Sequence, residues 1–243
     1  MKEIKLDILA ICAHPDDAEL GCSGTLLSAS SYGKKIGIVD LTQGELGTNG
    51  TAQIRQQEAK EASNILGLAV RENLGLPDGF FEINQNSLLL VIQIIRLYRP
   101  EIVFTNAPSD RHPDHKRAAE LVKRACFLSG LPKIKTFTNS QQQQNAFRPK
   151  KLYHFIQANY LQPDFVVDIT PFWKKKLEAI RAYKSQFFTE EDDSKQKTFI
   201  STPEFMEFIE ARAREFGQSI GTEFGEGFLK TSQIGVKNIF EIF

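Results

Sequence analysis

Apolar positions along the chain fall into two rhythms. Short, nearly continuous apolar runs at 5–13 (KLDILAICA) and 35–41 (KIGIVDL) have the character of central strands, and a helix-compatible stretch from Glu19 to about Ser31 separates them. The pattern then repeats. A helix is expected over Gln53 to Leu66, a short strand at 69–73 (AVREN), a helix from Ser87 to Tyr98, and a strand at 101–106 (EIVFTN) after Pro100. Residues 113–126 (PDHKRAAELVKRAC) read as a helix opened by a proline. Such alternation predicts an α/β fold, Rossmann-like, with a largely parallel sheet and helices on both faces.

Past this region the sequence turns polar. Residues 133–150, with four consecutive glutamines, read as a surface excursion or mobile loop. Strand-like segments at 151–158 (KLYHFIQA) and 165–170 (FVVDIT) then resume the sheet pattern, so the excursion is not a domain linker. Helices are expected over 172–187 and 203–217, separated by a charged surface loop containing EEDDSKQK. With no internal repeat and no composition break, residues 1–243 are read as a single domain.

Composition narrows the function classes. Thirty basic side chains balance thirty acidic ones, so no overall field favours nucleic acid or anionic lipid. No apolar run approaches the roughly 20 residues of a membrane-spanning helix. Cys12, Cys22 and Cys126 form an odd, scattered set that fits a reducing compartment, hence the cytoplasm, better than a disulfide scaffold.

Chemistry concentrates at two strand ends. His14, Asp16 and Asp17 follow the first predicted strand, and His112, Asp114 and His115 follow the strand at 101–106. In open α/β sheets the carboxyl ends of strands carry the functional groups, so these distant stretches can meet there. Together they supply imidazoles and carboxylates suited to a first-row metal, with groups left over for proton transfer. Taken alone, HPDD also fits an Asp-rich turn, and HPDH a helix cap in which Asp114 bonds exposed amides. His154, with no carboxylate beside it in sequence, reads as a packed or surface strand residue. The glycines of LTQGELGTNG (41–50) are not in GxGxxG order and point to a permissive loop rather than a dinucleotide site. Arg55, just beyond, is either a surface arginine or a fork for a substrate carboxylate.

The paired signatures AHPDDAE (13–19) and HPDH (112–115) resemble those of the LmbE-like, or PIG-L-like, zinc-dependent N-deacetylases. Further segments, DLTQGELGTNGT (40–51), LPDGFF (76–81), AYKSQF (182–187) and GEGF (225–228), resemble the bacillithiol-pathway branch, the N-acetylglucosaminyl malate deacetylases. The resemblance implies a Zn2+ ion on His14, Asp17 and His115, with Asp16 as general base. It makes a protonated His112 the oxyanion stabiliser, tuned or oriented by Asp114. It also implies Arg55 on the malate carboxylate, and loop 42–51, with Glu45, Thr48 and Asn49, around the sugar or malate. The implied partner is a small anionic glycoconjugate, N-acetyl-D-glucosaminyl L-malate, and the implied assembly is a homo-oligomer, with a homohexamer the specific expectation. Phe224, Phe228, Phe240 and Phe243 cover either a partner surface or the domain's own core. Iron, manganese or cobalt would also suit the same ligands. Competing readings are a deacetylase of chitobiose, of a mycothiol-pathway precursor or of another N-acetylglucosamine conjugate, and a metal-stabilised sugar-binding protein without turnover.

Overall fold

A computed structural model describes residues 4–188, 196–236 and 238–241. Seven strands form one sheet, in the order β3, β2, β1, β4, β5, β7, β6. They are β1 (Ile8–Cys12), β2 (Ile36–Thr42), β3 (Val70–Leu76), β4 (Ile102–Thr105), β5 (Lys151–Phe155), β6 (Phe165–Asp168) and β7 (Gly225–Lys230). The first five in spatial order are parallel, while β7 runs antiparallel to both β5 and β6. The expected architecture is therefore present, with one antiparallel addition.

Strand β1 explains why the sheet is buried on both faces. Leu9, Ile11 and Ala13 belong to a core shared with helices α4 (Gln85–Tyr98) and α5 (Pro113–Leu128). Ile8, Ala10 and Cys12 enter the opposite core, beneath α2 (Ser23–Ser31) and α6 (Trp173–Arg181). A strand with both faces covered has no polar side to show, which is why 5–13 reads as a nearly continuous apolar run. Helix α3 (Ala52–Leu66) and α7 (Pro203–Ser219) pack on the α6 side.

Two departures from the sequence pattern have physical causes. The helix expected from Glu19 is two helices, α1 (Asp17–Gly21) and α2, because Cys22 turns to φ −147°. The new N-terminus at α2 is satisfied by Glu226, whose carboxylate accepts from Gly24 N at 2.9 Å, Thr25 N at 2.7 Å and Thr25 Oγ1 at 2.6 Å. That partner lies in β7, the strand that GEGFLK did not announce: it is short and carries two glycines where strands favour branched or aromatic residues. A Cβ on Gly227 would stand 2.7 Å from the Phe216 ring, so the glycine permits α7 to lie close on the sheet.

The polar excursion is tethered at its base. Arg96 is buried and donates to the carbonyls of Ser129, Leu131 and Ile134 and to Thr136 Oγ1, all within 2.9 Å. Gln144 Nε2 donates to Gln93 O and is buried, while the three glutamines before it are exposed. Phe224 and Phe228 pack in the chain's own core, Phe224 stacked on Trp173 and Phe228 on Phe165; Phe240 is exposed and Phe243 lies outside the described residues. Among the described residues, no helix is long and apolar enough to cross a membrane.

Lys176 neutralises Glu226 in this interior, its Nζ 2.7 Å from Oε1 and bonded also to the carbonyls of Glu19 and Leu20. Both side chains are buried. Lys176→Met should cost about 3–5 kcal/mol of unfolding free energy in urea titration, because it strands a buried carboxylate. The double variant with Glu226→Gln should recover part of that loss.

Candidate active site

Strand order reverses between β1 and β4: the chain leaves β1 towards β2 and β3, then returns to lay β4 on β1's other edge. Loops after these two strands diverge, opening a crevice at their carboxyl ends. His14, Asp16 and Asp17 leave β1 into that crevice, and His112 and His115 enter it at the start of α5. The resulting cavity encloses about 370 Å³. A larger 740 Å³ groove along α3 and β3 holds none of the histidines.

Asp17 is the most densely bonded group. Its Oδ1 lies 3.1 Å from His115 Nε2 and accepts from Gln157 Nε2 at 2.8 Å. Its Oδ2 accepts from His14 N at 2.9 Å and Asn106 Nδ2 at 3.0 Å, and lies 3.5 Å from His14 Nδ1. Each histidine's other nitrogen is held by a carboxylate: His14 Nε2 by Asp78 at 3.0 Å, and His115 Nδ1 by Asp110 at 2.8 Å. This is how ligand histidines are oriented, the outer carboxylate fixing the tautomer and turning the free nitrogen inward.

Asp78 and Asp110 escaped the sequence reading. Both stood beside recognised motifs, in LPDGFF and immediately before RHPDH, but nothing in linear spacing tells which carboxylate reaches a histidine 64 residues away.

Electrostatics divide the two adjacent aspartates. Burial works against charge on Asp17, yet His115 and His14 hold it well below the usual carboxylate range. Burial likewise raises Asp16, and there it prevails: the Arg55 guanidinium opposes it, and the carboxyl is pushed up to about 7. Asp16 also holds a left-handed backbone, φ 107°, unusual for a residue with a side chain, which turns the chain sharply into α1. Burial opposes charge on His14 and His115, but the carboxylates around them win, raising His14 well above its ordinary value and His115 to about 9. The site thus draws two positive charges onto its imidazoles. A divalent cation brings that same charge, so the donor set fits one, and His14, Asp17 and His115 could hold it. Ring nitrogens of His14, His112 and His115 also lie within 4.8 Å of one another, and the geometry admits that grouping too.

The structure bears on three of the expected roles. Burial and the charges of His14 and His115 push His112 down to about 4, which favours its neutral form. Its Nδ1 accepts from Asp114 N at 3.2 Å, capping α5 and leaving the proton on Nε2 as a donor. Asp114 therefore orients His112 through its backbone, while its carboxylate binds Arg117 Nη1 at 2.6 Å and Gly79 N at 2.8 Å and lies 3.5 Å from His14 Nε2. Arg55 is not a surface arginine. It is buried, and it donates to Asp16 Oδ2 at 2.8 Å and to the carbonyls of Pro15 and Gly44. Gly44, at φ 65°, makes room for it: a Cβ there would overlap Arg55 Nη1.

The loop residues hold neighbouring segments. Glu45 accepts from Asp78 N at 2.8 Å, Asn49 exchanges two hydrogen bonds with the backbone of Gln196, and Thr48 lines the cavity beside Asn49. His154 is packed against the main chain, its Nδ1 2.7 Å from Asn106 O.

A doubly wound sheet with a histidine–aspartate crevice at its switch point thus defines the class of protein, and comparison with known proteins identifies the family. The PIG-L family profile, described as GlcNAc-PI de-N-acetylase, matches residues 9–126. Diacetylchitobiose deacetylase of Thermococcus kodakarensis is 30% identical over 194 residues, covering 74% of this chain and 70% of that protein. A probable N-acetyl-alpha-D-glucosaminyl L-malate deacetylase 2 of Bacillus anthracis is 28% identical over 216 residues, 84% and 91% of the two chains. The crystal structure of a conserved protein from Thermus thermophilus superposes with a TM-score of 0.83 at 37% identity, over 96% of this chain and 98% of that one. The chain belongs to the PIG-L/LmbE deacetylase family.

If Asp110 and Asp78 orient the metal-binding nitrogens, Asp110→Asn and Asp78→Asn should each weaken zinc binding roughly 10–100-fold in chelator competition. Circular dichroism should show both variants folded.

Proposed function

We propose that this chain removes the acetyl group of an N-acetylglucosamine conjugate by metal-dependent hydrolysis, with N-acetyl-D-glucosaminyl L-malate as substrate. One observation carries the reading: a buried Asp16, raised to about 7, lines the same cavity as two histidines whose far nitrogens are held by carboxylates. A proton carrier near neutrality beside a cation-demanding donor set is what amide hydrolysis requires.

His14, Asp17 and His115 would hold the ion, zinc by family expectation, whose chemistry there is Lewis-acid activation of water and of the amide carbonyl. Asp16 accepts the proton as the water oxygen bonds to the acetyl carbon. His112 donates from Nε2 to the carbonyl oxygen as negative charge develops on it, a role a neutral imidazole can fill. As the C–N bond breaks, Asp16 returns the proton to the departing nitrogen, giving acetate and a free amine. Asp17, engaged by two histidines and two amides, is a poor shuttle. Arg55 keeps Asp16 placed and partly offsets the rise that burial imposes on it.

The malate-conjugate substrate is supported by the Bacillus anthracis relative and by the branch motifs; the Thermococcus relative makes chitobiose the competitor. A cytoplasmic homo-oligomer, with residues 1–243 as its one domain, completes the proposal.

Acetate release should be at least tenfold more efficient, by kcat/KM, from the malate conjugate than from N-acetylglucosamine or chitobiose. A preference for either neutral sugar would remove the malate assignment, and binding without acetate release would leave a sugar-binding protein. Asp16→Asn should lower kcat by roughly 10²–10⁴-fold with zinc content unchanged by elemental analysis. Undiminished turnover in that variant would exclude Asp16 as the proton carrier.

A further inference from the structure

Two arginines line the cavity, and the structure gives them opposite circumstances. Arg55 is buried, with Nη2 bonded to Asp16 and the Pro15 carbonyl, Nη1 to the Gly44 carbonyl, and Nε the one nitrogen without a partner among the described residues. A substrate carboxylate placed against it would share a guanidinium whose Nη2 already serves Asp16. Arg111 is exposed at the cavity, between Asp110 and His112, and its side chain has no ion pair or hydrogen bond among the described residues. What it does have is a shelf: its guanidinium carbon stands 4.3 Å over the ring of Phe199.

That shelf is itself positioned. Phe199 meets Phe205 of α7 edge-on at 5.4 Å, and its segment is fastened at Gln196 by both side-chain bonds of Asn49 and at Thr198 by Ser201. Stacking on an aromatic face leaves the in-plane N–H groups of a guanidinium free, and these are the donors that match a carboxylate's two oxygens. Lysine offers no such fork.

We infer that Arg111, stacked on Phe199, is the specificity-determining residue that reads a carboxylate on the aglycone of the N-acetylglucosamine conjugate. This rests on the anionic-substrate reading proposed above. The chain geometry suits that role, because Arg111 is bonded directly to His112 and to Asp110, the partner of His115, so an aglycone held there keeps its sugar next to the reacting groups. Asn49 is then a positioning residue, acting through the segment that carries the shelf.

The test compares two substrates, N-acetylglucosaminyl malate and the neutral methyl glycoside of N-acetylglucosamine. In Arg111→Ala, KM for the malate conjugate should rise roughly tenfold, as expected for loss of a partly exposed charged hydrogen bond. KM for the methyl glycoside and kcat for both should stay within twofold. Added salt should raise KM for the malate conjugate in the wild type and do so far less in Arg111→Ala, a response that a merely structural role would not produce. Arg111→Lys should recover only part of the loss. An unchanged KM for the malate conjugate in Arg111→Ala, or equal losses on both substrates, would overturn the assignment. Failure of the underlying substrate reading shows earlier and separately, as a wild-type enzyme with no preference for the malate conjugate.

Discussion

The buried negative charge of Asp17 is the constraint on which the site depends. A carboxylate withdrawn from water this completely must be compensated by donors and positive charge. Here the compensation comes from four directions: His14 after β1, Asn106 after β4, Gln157 after β5, and His115 on α5. Those elements are neighbours only because β1 pairs with β4 and β4 with β5, all parallel, so their carboxyl ends lie at one edge. Asn106 also accepts from Ala13 N at 2.9 Å, tying the first strand end to the second. Satisfying one charge thus aligns the strand ends that carry the chemistry.

A second buried carboxylate does the same for the scaffold behind the site. Glu226 restarts the helical path at Gly24, and Lys176 neutralises it while bonding the last carbonyls of α1. The short helix α1, which begins at Asp17, is therefore gripped at its far end by α6, and β7 holds the start of α2 that follows it. Nearby, Arg71 holds Asp40 with two hydrogen bonds and reaches Glu19, which also accepts from Tyr183. Glu19 is thus bonded on the far side of α1, and its work is to anchor that helix.

The sequence was most informative where a local cause produces the structure. Apolar runs marked β1, β2 and β4 because those strands are covered on both faces, and Pro113 marked α5 because a proline fits the first helical turn. Family signatures collected His14, Asp16, Asp17, His112 and His115, and the structure brings these into one cavity. Less legible was whatever depends on a distant partner. The break at Cys22 follows from Glu226, about two hundred residues on. Strand β7 is fixed by its neighbours and by Phe216 rather than by its own residue preferences. Asp78 and Asp110 look like ordinary turn aspartates until the fold aims them at histidines.

Arg55 shows how a residue type suited to a site can have an internal partner that the linear pattern does not announce. From the linear pattern, an arginine after a glycine-rich loop is free to meet a substrate anion. In the fold its nearest anion is internal: the carboxyl of Asp16, which burial alone would raise and which Arg55 draws back. The two adjacent aspartates differ for the same reason. Asp17 faces two imidazoles and two amides and stays ionised, whereas Asp16 faces a single guanidinium in an equally buried setting and stands near neutrality. In the proposed mechanism the first must remain charged to hold a cation, and the second must take up a proton and give it back. Identical side chains are separated in function by what each is packed against, and the number of cationic and amide partners decides which role each can perform.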